Sequence, residues 1–187
     1  MKLFLKMKNS LDFLGFKIRG AASEEEGQIV MTLSRLPKPH LQVVKQFLIV
    51  SLAEWESHID WLRKLAGHTG GPSQAIVLIR ESCKGDLVYN AVHEIGHLVW
   101  HYYLREGEKQ EFNGIAELVR GDELVAITLY AEIEGFNEHF AEAYAHYVLK
   151  PHFLRRKEPK VYQWQKNYVF HGENYLFLEE KLKDSES

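Results

Sequence analysis

Apolar positions along the chain fall into blocks with two different periods. A short apolar patch from Leu11 to Ile18 is followed by Ala21-Ala22-Ser23-Glu24-Glu25-Glu26-Gly27, which reads as an exposed connection. The β-branched run Gln28 to Leu33 predicts a strand. Pro37 and Pro39 announce a helix start. From there Leu41, Val44, Leu48, Leu52, Trp55, Ile59 and Leu62 recur at steps of three and four, which predicts one long amphipathic helix over residues 40–66. Trp55 and Trp61 are read as packing residues of that helix. Gly67 to Pro72 ends it, and Gln74 to Arg80 predicts a second strand. Asp86 to Leu104 predicts a helix, Glu111 to Val125 a polar stretch with weak helical spacing, and Phe136 to Leu149 another helix, closed off by Pro151 and Pro159. The aromatic residues from Tyr162 to Phe177 predict one or two packing helices at the C-terminal end.

The 187 residues suffice for one domain with a full core, residues 1–187, in which about 1–85 hold the strands and the long helix and 86–187 form a helical part. Hydrophobic residues at 45% and charged residues at 26% are those of an ordinary globular protein. The formal charge of −3 predicts no nucleic-acid or anionic-membrane partner. Cys83 is the single cysteine, which excludes an internal disulfide and a thiolate zinc cluster. Lysines interrupt the apolar residues of Met1 to Lys8, so no signal peptide is read there. Action in the cytoplasm and removal of an export signal both stay open, and no run reaches transmembrane length.

The Asp86–Leu104 helix contains Val92-His93-Glu94-Ile95-Gly96-His97-Leu98-Val99-Trp100, an H-E-x-x-H segment in an apolar run. Histidines four apart lie about 40° apart around a helix of 3.6 residues per turn, so both imidazoles can reach one cation. Glu94 stands beside such an ion, where a general base takes a proton from water activated by the metal. A helix that merely carries two histidines is the bland alternative. Val92, Ile95, Leu98 and Val99 weigh against it, because a buried face has no ordinary reason to hold two histidines and a glutamate.

A catalytic zinc takes three protein ligands and keeps a fourth position open, and H-E-x-x-H supplies only two. Six residues past His97, where metzincins carry a third histidine, stands Tyr103, and Trp100 replaces their glycine, which rejects that class. His101 is one step further, but three histidines spaced by four drift around the helix. The better source is Asn137 to Ala145, where Glu138 and Glu142 share a face while Phe140, Ala141, Tyr144 and Ala145 supply apolar packing. Glu138 on the ion, with Glu142 behind it accepting an imidazole N–H, would explain both carboxylates. A surface face with two solvated glutamates is the alternative. His139 and His146 project elsewhere and are read as incidental.

His93-Glu94-Ile95-Gly96-His97, followed forty-one residues after His97 by Glu138-His139-Phe140-Ala141-Glu142, resembles the protease domain of anthrax lethal factor and the related Pro-Pro endopeptidases. The resemblance covers roughly residues 70–150 and implies an α+β, zincin-like fold: a small N-terminal sheet and helix part, a mainly helical C-terminal part and an active-site cleft between. It implies one catalytic Zn2+ held by His93, His97 and Glu138, with Glu94 as general base, and a peptide or protein substrate with prolines around the scissile bond. Gly70-Gly71 and the strand through Ile76 and Leu78 resemble the segment lining the family's substrate groove, where a strand edge pairs with extended substrate. The family's oxyanion-binding tyrosine corresponds to Tyr130 if Gly135 is a one-residue insertion, since the usual gap lands on Ala131. The resemblance also implies secretion. Two further readings stay open: a cytoplasmic metallopeptidase of the repressor-cleaving kind, which also pairs H-E-x-G-H with an F-A helix, and a non-catalytic binding module that keeps the fold.

Overall fold

The computed structural model describes residues 10–13, 16–19, 23–65, 74–83, 86–121 and 135–175. The chain is mixed α/β and mostly helical, and it divides into two units, Met1–His101 and Tyr102–Ser187. The helix expected to carry the metal belongs to the first of these, with the sheet.

The first unit is built on a four-stranded sheet in the order β1 (Ser10–Phe13), β2 (Phe16–Arg19), β3 (Gln46–Val50), β4 (Ala75–Ile79). β1 and β2 form an antiparallel hairpin with Leu11 opposite Ile18, while β3 runs parallel to both of its neighbours, with Ile18 opposite Phe47 and Phe47 opposite Ile76. α1 (Ser23–Leu33) and α2 (Lys38–Gln42) connect β2 to β3; α3 (Leu52–Ser57) and α4 (Ile59–Leu65) connect β3 to β4.

Residues 28–33 are helical, as part of α1, and not a strand. Thr32 and Leu33 are buried three and four residues after the buried Ile29, a helical stripe that outweighs the β-branched composition. Ser23 to Gly27, expected as part of an exposed connection, belong to α1. The helix expected over 40–66 is broken into α2, β3, α3 and α4. Phe47 to Val50 are all buried, because a strand lying between two parallel neighbours is covered on both faces and reads as a continuous apolar run. Such a run contains three- and four-residue steps by accident. Ser51 then restarts the helix with a reciprocal cap, its hydroxyl accepting from Glu54 N and its own N–H donating to the Glu54 carboxylate at 2.8 Å. Trp55 and Trp61 pack against Leu48, Val50 and Leu62, as expected of packing residues.

The second unit contains α6 (Glu106–Gly121), α7 (Phe136–Leu149), α8 (Pro151–Lys157), α9 (Pro159–Trp164) and a π-helical turn, Gln165–Val169; α5 (Leu87–Tyr102) ends at the boundary between the units. α7 has the expected bounds and is buried all round from His139 to Val148, as suits the central helix of its unit. Pro151 and Pro159 stand at the first positions of α8 and α9, where a missing N–H costs nothing. Aromatic rings fill the core: Phe112 lies 5.4 Å from Phe140 and 5.2 Å from Trp164, and Tyr147 stacks on Phe170 at 4.4 Å. His139, read as incidental from the sequence, is fully buried, and its Nε2 lies 2.8 Å from the Glu158 carboxylate, itself 1% exposed. Phe112 meets the His139 ring edge-on at 5.6 Å.

Removing one partner of a buried pair leaves the other polar group without its hydrogen bond, whereas replacing both by apolar groups leaves nothing unsatisfied. His139→Leu is therefore expected to cost roughly 3–5 kcal/mol in urea unfolding of the full chain. The double variant His139→Leu/Glu158→Leu should recover most of that loss.

Candidate metal centre

The metal helix is anchored at its start before its motif begins. β4 runs directly into a 3-10 turn, Arg80–Cys83, and then into α5. Glu81 of that turn accepts a hydrogen bond from Leu52 N at 2.8 Å, which ties it to the start of α3. Asp86 caps α5, its carboxylate accepting from Tyr89 N at 2.8 Å. The Asn90 amide donates to the Asp86 carbonyl at 2.7 Å and to the Cys83 carbonyl at 3.4 Å. From there Ala91, Val92, Ile95, Leu98 and Val99 are buried, so one face of the helix is closed to solvent.

On the remaining face the two motif histidines meet. Nε2 of His93 and Nε2 of His97 are 3.1 Å apart, and their rings stand nearly perpendicular with centroids at 4.8 Å. The Tyr89 ring lies one turn earlier, 6.5 Å from that of His93 and inclined by 29°. His93, Glu94 and His97 each offer one ligand atom, all within 4.8 Å of one another, and together form a group able to hold a metal ion. Glu94 and His97 are half-buried, open enough for exchange and shielded enough for charge to matter.

The donor set can be tested for zinc. Two nitrogens about 2.0–2.1 Å from a tetrahedral ion are separated by roughly 3.3–3.4 Å. The observed 3.1 Å differs from this by a few tenths of an ångström, so a small opening of the two rings would admit the ion. Imidazole nitrogens with a nearby carboxylate are borderline ligands of the kind zinc prefers. The residues fit.

Cys83 does not join them. Burial pushes its thiol pKa up, and the carboxylates of Glu94 and Asp86 push it further in the same direction, so the thiol is held protonated and is a poor ligand or nucleophile. His101 is exposed at the end of α5.

The other expected site residues lie elsewhere in the chain. Ile76 and Leu78 have buried side chains, so β4 would offer a substrate its backbone only. β4 is the outermost strand of the sheet among the described residues, and its second edge faces no described strand. Gly71 and Tyr130 lie outside the described residues. Glu138 is half-buried in the first turn of α7, and Glu142 is buried one turn on. The Glu142 carbonyl accepts a hydrogen bond from His146 Nδ1 at 2.9 Å. His146 is thus a bonded core residue and not incidental, and burial holds its pKa below the ordinary imidazole range, with Glu142 opposing. A histidine between apolar residues on a helix buried all round was the available sequence signal for both His139 and His146.

Comparison with family models, with curated proteins and with solved structures returns no match for this chain.

Two outcomes follow from this geometry. His93→Ala or His97→Ala should weaken zinc binding by at least about a hundredfold in a chelator competition, since each removes one of the two nitrogens, while His101→Ala should not change it. For His146, a folded pKa below the unfolded value means that the unfolded chain binds the extra proton first. Stability is therefore complete above about pH 6.5 and declines as pH falls, by at most about 1.4 kcal/mol per pH unit from this group. His146→Asn should flatten that part of the unfolding free energy against pH relative to wild type.

Proposed function

We propose that this chain is a zinc-dependent endopeptidase of the lethal factor and Pro-Pro endopeptidase kind that its two motifs resemble. The observation that carries the reading is the pair of Nε2 atoms 3.1 Å apart with the Glu94 carboxylate in the same cluster. One feature of the sheet supports it: β4, which leads into the metal helix, is an outer strand whose backbone is suited to pairing with an extended peptide.

Zinc, when bound, supplies Lewis acidity that makes water acidic enough to attack near neutral pH and polarises the scissile carbonyl. His93 and His97 hold the ion, and the resemblance assigns the third position to Glu138. Glu94 takes one proton from the attacking water as the new C–O bond forms, then delivers it to the amine nitrogen as the C–N bond breaks. Burial of the opposite face of α5 keeps Glu94 and the two histidines from moving relative to one another, so little reorganisation accompanies proton transfer. Tyr130 completes the proposal as hydrogen-bond donor to the oxyanion. Substrates with prolines at the scissile bond follow from the resemblance alone.

The test uses a peptide library with cleavage mapped by mass spectrometry. Wild type loaded with zinc should cleave, and a chelator should stop it. Glu94→Gln keeps the histidines and should bind zinc as wild type does while losing about 10²–10⁴ in turnover. Glu138→Ala should lose zinc affinity as well as turnover. Full turnover by Glu94→Gln ends the assignment of the base; unchanged zinc affinity in Glu138→Ala ends that of the third ligand.

A further inference from the structure

Between Lys150 and Lys166 the chain carries six Lys and Arg residues against one acid, Glu158. The segment is thus +5 in a chain of −3, and all other residues together amount to −8. In sequence, Glu158 stands among Arg155, Arg156, Lys157 and Lys160 and neutralises them in part. In the fold it forms no ion pair with them, because its carboxylate is 1% exposed and bonded inward to His139. The four cations around it are all exposed, and none forms an ion pair among the described residues. Arg156 lies over the Phe153 ring at 5.9 Å, which orders one guanidinium without neutralising it.

The helix dipole explains part of this. Arg155, Arg156 and Lys157 occupy the last turn of α8, where cations are favoured. Lys160 is in the first turn of α9, the wrong end for a cation, and no acid accompanies it there. Four like charges around one helix junction also repel each other, a cost that an anionic partner would turn into binding energy.

We propose that this junction is a docking surface for an acidic segment, a short run of Asp and Glu side chains, on a partner protein. Arginine forks fit carboxylates in a bidentate manner. α8 is about 10 Å long at 1.5 Å per residue, which matches a few carboxylates and not a long polyanion. Phe153 is half-buried and Tyr162 and Trp164 are buried, so the segment offers no exposed ring for base stacking and no apolar side chain to enter a bilayer. The proposal does not depend on the metal chemistry.

The test is fluorescence anisotropy of a labelled octaglutamate peptide with the full-length chain, beside octaglutamine, an eight-nucleotide single-stranded RNA and phosphatidylserine vesicles. Octaglutamate should bind and weaken as salt rises, and octaglutamine should not bind. Arg155→Gln/Arg156→Gln/Lys157→Gln should weaken octaglutamate by about tenfold, whereas neutralising the exposed cations Lys38, Lys45 and Arg63 together should leave it unchanged. If the first triple variant lowers the melting midpoint, Lys160→Gln alone, with an expected loss of about threefold, carries the test. The proposal is overturned by equal affinity for octaglutamate and octaglutamine, by equal loss in both triple variants, or by tighter binding of RNA or vesicles through the same residues.

Discussion

Two imidazole nitrogens 3.1 Å apart across one helical turn set the demands on everything else in the first unit. Holding two Nε2 lone pairs toward one point requires a helix that neither frays nor rotates. The first requirement is met by Asp86 capping the start of α5 and by the Asn90 amide bridging back to Cys83. The second is met by the apolar face from Ala91 to Val99, which lies in the core. The parallel arrangement of β3 and β4 serves the same end, since β4 delivers the chain to that cap through a single 3-10 turn. Glu94 is fixed as a consequence of the same helix.

The second unit meets a different constraint, that of polar side chains inside an aromatic core. His139, Glu142 and His146 lie on a helix buried all round, and each bonded contact there fixes a neighbour. Nε2 of His139 reaches Glu158 at the α8–α9 junction, while His146 donates within its own helix to the Glu142 carbonyl. Burial pushes the phenol of Tyr144 well up, so it stays neutral among the stacked rings. Glu158 has two consequences at once: turned inward it contacts α7, and its absence from the surface leaves the surrounding cations without an ion pair to it.

How much of this was legible in the sequence varied with the kind of signal. α5 and α7 were readable because their apolar spacing is sustained and their ends are marked, by Asp86 for the first and by Pro151 for the second. β4 was readable from a short β-branched run bounded by turn residues. α1 and β3 were misassigned in opposite directions for one reason: a short apolar run carries no reliable period. Position within the sheet, not spacing, made Phe47 to Val50 a strand.

By itself the sequence determined that the donor side chains of α5 share one side, because the geometry of an α-helix alone brings residues i and i+4 together. His93, Glu94 and His97 needed no distant partner to come together. Tertiary structure alone decided which polar residues are hidden. Whether Glu158 forms ion pairs with Arg155 to Lys160 depends on where its carboxylate points, and that is set by His139, nineteen residues away, through a contact no local pattern encodes.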